Sequence, residues 1–139
     1  MKTILSTLML CGCVLLIDGP SSAQEDRVDC SKAVSQAEIN ECAQADYQAA
    51  DKALNEQWPK TKKVLTEWDA ELEPHNKGAV EDLMSAQRAW ITYRDAHCNA
   101  VGYSVWGGSL YQAVVLGCLA DVTRARTAQL MAIIEPYGN

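Results

Sequence analysis

His97 and Cys98 stand side by side at the head of the run HCNAVGYSVWGGS, and three kinds of chemistry could start there. Imidazole and thiolate are both metal ligands, but a zinc site needs further short-spaced pairs. Neighbouring helical residues also point in different directions, so no metal is expected. Gly102, four residues, Gly107, Gly108 and Ser109 imitate part of a phosphate cradle. A true cradle carries lysine where Gly108 stands and follows a strand, and here a cysteine-bearing helix comes first. Ser104 and Ser109 offer hydroxyls near His97, yet a hydrolytic triad needs a positioned base and an orienting acid, and His75 is the only other histidine. The stretch therefore reads as a connection between helices, with no cofactor implied. Tyr103 and Trp106 keep a functional question, because they either plug the end of the fold or stand out as anchors for a partner.

Asp51, Asn55, Gln87, Arg94 and Arg126 form a second constellation, a carboxylate within reach of arginines. Gln87, Ile91, Arg94 and Cys98 step by helical intervals, as do Tyr47, Asp51, Asn55 and Trp58, and Cys118, Val122, Arg126 and Leu130. Polar groups on such core-facing stripes need partners, because an unpaired buried charge is very unfavourable. Asp51 is accordingly expected to pair with Arg94 or Arg126, with Asn55 and Gln87 completing a buried or half-buried network. Such a network fixes helix register and needs no substrate. Glycoside hydrolysis would require two carboxylates facing each other across a cleft, for which a small bundle has little room. No catalytic residue is expected, and the chain does not read as an enzyme.

The elements that position these residues are helical. Ser35-Gln-Ala-Glu38 is a capping box, after which Ala43, Tyr47, Ala50, Leu54 and Trp58 form one apolar stripe. Pro59 should interrupt or kink this helix, with Val64, Leu65, Trp68 and Leu72 continuing it on the far side and facing the core. EPHNKG is a turn with an exposed His75, and a further helix is expected from about Lys77 to Cys98, with Val80, Leu83, Met84, Trp90 and Ile91 inward. Gly107 and Gly108 would supply positive φ, Ser109 would cap a last helix, and Pro136 and Gly138 would end it. No alternating window long enough for a strand occurs. The expectation is an all-α, single compact bundle of about four helices, the first kinked at Pro59, stapled by two disulfides.

Met1-Lys2, the apolar run ILSTLMLCGCVLLI and the small residues before Gln24 read as a signal peptide over residues 1–23, leaving 24–139 as one domain. The run is short for a membrane span, so no transmembrane segment is expected in the mature protein. Cys13 within LCGC raises a lipid-anchored form as the alternative. A periplasmic or secreted location puts Cys30, Cys42, Cys98 and Cys118 in an oxidising environment, where an even number usually means disulfides. Four cysteines permit three pairings, and the sequence alone does not choose among them. Short loops favour Cys30 with Cys42 and Cys98 with Cys118, each contributing roughly 3 kcal/mol. A net charge of −6 argues against nucleic acid and anionic membranes and favours encounter with a basic protein.

Taken together, DC, SQAEINECAQADYQAADKALNEQW, QRAWITYRDAHC, GGS and a cysteine followed by TRARTAQL resemble the LprI-type family of lysozyme-inhibitor-like secreted domains, from Cys30 to about Leu130. The resemblance implies a secreted or periplasmic, disulfide-bonded helical domain and, for some members, inhibition of lysozyme. The partner would be a lysozyme or another basic envelope or host protein. The alternative is an envelope adaptor or structural domain that inhibits nothing.

Overall fold

The computed structural model describes residues 28–135. The expected signal peptide, Cys13, Pro136 and Gly138 lie outside the described residues. Three helices account for most of what is described: α1 over Gln36–Glu71, α2 over Ala79–Gly102 and α3 over Tyr111–Ile134. One 3-10 turn, Pro74–Asn76, precedes α2, and another, Tyr103–Val105, follows it. The described residues contain no strand, and none of their helices is long and apolar enough to cross a membrane.

The helix count is three where the sequence suggested about four, because α1 runs through Pro59 without a break. Proline deprives the carbonyl four residues back of its donor. That carbonyl belongs to Asn55, which is exposed like Pro59 itself, so water can take the missing place. The buried stripe of α1 (Ala50, Leu54, Gln57, Thr61, Leu65) passes through on the opposite face.

Helix α1 begins at the expected capping box: the Ser35 hydroxyl accepts from the Glu38 amide at 3.3 Å, and Glu38 Oε2 accepts from the Ser35 amide at 2.8 Å. Its last turn provides a device with no local signature. Asp69 Oδ1 accepts from the amides of Gly78 and Ala79, both at 3.0 Å, and Oδ2 accepts from Val80 at 3.1 Å. The end of one helix thereby caps the start of the next, satisfying amides that α2 cannot pair internally. The amides of Gly78, Val80 and Ala79 in turn hold the Asp69 carboxyl below its ordinary value of 3.8.

Helix α3 packs most extensively along α1 and less along α2, and α1 and α2 meet least. Contacts Asp46–Arg124 and Thr61–Leu130 advance together along α1 and α3, so these two run in the same sense. Gln87–Arg126 and Cys98–Cys118 run in opposite order, making α2 antiparallel to α3. Leu54, Leu65, Leu83 and Leu130 form the core, joined by the half-buried Trp58, Trp90, Ile133 and Ile134. Burying each leucine stabilises the fold by roughly 1.5–3 kcal/mol. The seam is unusually polar for so small a core. Gln57 Nε2 donates to Thr61 Oγ1 at 3.1 Å, and that hydroxyl donates onward to the Leu130 carbonyl at 3.0 Å.

Several residues expected to face the core do not. Trp68 is 44% exposed and Ile91 41%, with Leu72 and Met84 also exposed. Leu130 meets Thr61 only four residues before α3 ends, so the last turn of α1 extends past its main partner. A helix in a three-membered bundle also buries a narrower arc than one in a four-membered bundle.

Candidate functional site

The turn between α2 and α3 is built on one close approach. Gly102 is buried as the last residue of α2, which extends a turn beyond the expected end at Cys98. A Cβ at position 102 would lie 2.6 Å from Val115 Cγ2 and 2.8 Å from Tyr111 Cε2, so glycine lets these two α3 side chains pack directly on the α2 backbone. One turn earlier, the fully buried Cys98 is bonded to Cys118, with Cα atoms 5.5 Å apart. The other disulfide ties Cys30 to Cys42, fastening the lead-in to α1. Of the three pairing schemes open to the sequence, this is the one present.

Beyond Gly102 the chain turns through successive short hydrogen bonds. Trp106 N–H donates to Tyr103 O at 3.2 Å, Gly108 N–H to Val105 O at 3.0 Å and Tyr111 N–H to Gly108 O at 3.3 Å. Gly107 has φ of +75°, a backbone conformation open to glycine. Gly108 does not share it, and Ser109 does not cap α3: that helix starts at Tyr111 after Leu110, with no side-chain cap. The Tyr111 amide, two residues past Ser109 and within reach of a Ser109 cap, donates instead to the Gly108 carbonyl.

Tyr103 and Trp106 project from this turn, 64% and 65% exposed. Their rings stack with centroids 4.9 Å apart and planes 12° apart, and Tyr111 meets the Trp106 ring edge-on at 5.2 Å. Offset-stacked and edge-on contacts are the arrangements aromatic pairs prefer, so the exposed rings support one another. Val101 and Leu110 are exposed nearby in sequence. From Ala96 to Ala120 the chain contains no Asp, Glu, Lys or Arg, so the turn and the helix ends that flank it carry no charged side chain within an acidic protein. Asp95 and Asp121 bound the stretch, and both are engaged by arginines, Asp95 by Arg94 at 2.8 Å and Asp121 by Arg124.

The five polar residues divide into three groups. Asp51 Oδ2 accepts from Asn55 Nδ2 at 2.8 Å on α1. Arg94 pairs with Asp95 and lies over the rings of Trp90, at 5.0 Å, and Tyr47, at 6.0 Å. Arg126 Nε donates to Gln87 Oε1 at 2.9 Å. Among the described residues Asp51 makes no ion pair with either arginine. The acid next in sequence takes Arg94, and Arg126 is directed towards α2, which touches α1 least. The cross-helix pair that α1 does form, Asp46 with Arg124 at 2.9 Å, had no distinguishing signal beyond its place in TRARTAQL.

Among the described residues no three His, Cys, Asp or Glu side chains converge on a metal-sized site. His97 instead stacks on Tyr93, centroids 5.3 Å apart, and His75 is exposed in the Pro74–Asn76 turn.

The family model described as Lysozyme inhibitor LprI matches residues 29–130. An uncharacterized protein of Rhizobium meliloti (strain 1021) is 43% identical over 129 residues, which is 91% of this chain and 93% of that protein. No match is found among solved structures. The matched span includes both disulfides, the loop carrying Tyr103 and Trp106, and the polar residues from Asp51 to Arg126.

Proposed function

The chain belongs to the lysozyme inhibitor LprI family, and we propose that it is an exported protein-binding domain that inhibits a lysozyme, with Tyr103 and Trp106 as its anchors. Residues 24–139 would constitute the mature domain, periplasmic or secreted. Two disulfides support a compartment outside the cytoplasm. The observation that carries the binding site is the exposed Tyr103–Trp106 stack on a turn held by the Cys98–Cys118 bond. Hot spots at protein interfaces are enriched in Trp and Tyr, and a pre-arranged pair loses little freedom on binding.

Charge and anchors divide the work. A net charge of −6 draws in a basic lysozyme at long range, an effect that raises the association rate and fades with salt. The uncharged turn then supplies affinity by apolar burial, because it has neither Lys nor Arg to reach a carboxylate in the partner's cleft. The domain acts by occupying its partner and needs no catalytic group. The test is the lytic activity of animal-type and bacterial lysozymes on cell walls, with and without the oxidised protein. Undiminished lysis by all of them at a large molar excess leaves the non-inhibitory adaptor as the reading.

A further inference from the structure

Trp106 and Tyr111 meet with ring planes at 86° and centroids 5.2 Å apart. Two rings so placed form a right-angled corner bounded by a face of each, and aromatic faces carry the negative side of the ring quadrupole. The same two residues, with Gly107 and Gly108, line an open hollow of about 370 Å³. Its glycine wall is bare, since a Cβ at Gly107 would meet nothing within 4 Å. The stacked Tyr103 ring braces Trp106 in place.

Among the described residues no Lys or Arg lies over either ring, and the chain has neither between Ala96 and Ala120. The flanking arginines are engaged elsewhere, Arg94 with Asp95 and Arg124 with Asp46 and Asp121. Within the turn the backbone acceptors are the carbonyls of Tyr103, Val105 and Gly108, which leaves those of Trp106 and Gly107 open to an incoming donor. Arg94 shows what a Trp–Tyr pair takes in this same molecule. Its guanidinium carbon lies 5.0 Å from the centre of the Trp90 ring and 6.0 Å from that of Tyr47. Trp106 and Tyr111 present the same two ring types at the surface of a chain whose net charge of −6 attracts basic proteins.

We propose that the hollow receives an arginine side chain of the partner, its guanidinium against the faces of Trp106 and Tyr111 and its N–H groups on the carbonyls of Trp106 and Gly107. A planar guanidinium suits the corner better than an ammonium, because it stacks on a ring and still extends donors sideways. That the arginine belongs to a lysozyme rests on the inhibitor reading. The contact adds to the apolar burial around it.

Two measurements separate this contact from that reading. N-acetyl-arginine amide, titrated into the isotope-labelled, oxidised protein at constant ionic strength, should shift the Trp106 indole N–H and the Gly107 and Gly108 amides. At equal concentration the shifts should be at least about threefold larger than with the uncharged isostere N-acetyl-citrulline amide. Trp106→Leu should remove the difference between the two at the glycine amides. In the complex with a lysozyme that the protein inhibits, tryptophan analogues with successive ring fluorines at position 106 alone should lose affinity stepwise. Fluorine drains negative charge from the ring face and leaves its apolar area in place. Equal shifts by arginine and citrulline overturn the proposal, as does an affinity indifferent to fluorination even where lysis is inhibited. Undiminished lysis together with arginine-selective shifts would sink the inhibitor reading and leave the hollow's chemistry standing.

Discussion

The ring of Tyr103 lies against that of Trp106 at 4.9 Å and 12°, exposed within a stretch, Ala96 to Ala120, that has no Asp, Glu, Lys or Arg. The two side chains support each other more than they support the fold. The double variant Tyr103→Ala/Trp106→Ala should accordingly keep the melting temperature of the parent while weakening lysozyme binding at least about 30-fold, the scale expected when a hot spot is removed. Calorimetric melting alongside titration checks both halves. A large fall in melting temperature would make the rings structural plugs.

Gly102 should tolerate no side chain. Gly102→Ala places a methyl 2.6 Å from Val115 Cγ2 and 2.8 Å from Tyr111 Cε2, so those side chains, or α3 with them, must shift. Overpacking of this kind destabilises by roughly 1–3 kcal/mol, readable as a lower urea midpoint. Gly107→Ala meets no neighbour but must adopt φ of +75°, so its effect should come from backbone strain alone.

Asp69 links stability to acid. Its folded pKa is depressed below 3.8 by the amides of Gly78, Val80 and Ala79, so its contribution is full above the unfolded value and is lost as pH falls through the folded one. Glu38 is depressed in the same direction from 4.5 by the Ser35 amide and hydroxyl and the Val34 amide. Stability should therefore fall with decreasing pH below about 4. Asp69→Ala should lower the melting temperature at pH 7 by several degrees and flatten that acid limb, as followed by circular dichroism.

The Cys98–Cys118 bond holds the end of α2 to α3 next to the aromatic turn. Removing it as Cys98→Ala/Cys118→Ala should cost about 3 kcal/mol, and because the loop is then free to move, affinity for the partner should drop as well. Opening Cys30–Cys42 should destabilise on a similar scale and leave affinity unchanged, since that bond fastens the lead-in to α1. Urea melts and binding titrations of both pairs separate the two effects.

Local chemistry made the helical fold readable. The capping box at Ser35, the stripe through Ala50 and Leu54, and the positive φ of Gly107 each act within a few positions, and each has its counterpart in the structure. What could not be read depends on contacts across the chain. Whether Pro59 ends a helix depends on which face it occupies, and its exposed face lets α1 continue. Asp69 caps a helix that starts ten residues later in the chain, so no local pattern announces it. Likewise Gly102 is required by Val115 and Tyr111 crossing above it. For the polar set, helical spacing identified residues that share faces but could not say that α1 meets α3 far more than α2. Arg126 thus found Gln87, and Asp51 kept its own neighbour Asn55.

Residual lytic activity, titrated against the oxidised protein and against Tyr103→Ala/Trp106→Ala side by side, is the most direct test of an inhibitor anchored by this turn. The expected result is dose-dependent loss of lysis with the parent protein for at least one lysozyme, and loss of that inhibition in the double variant although it melts at the same temperature. Full lysis in the presence of excess parent protein, or equal inhibition by the double variant, would contradict it.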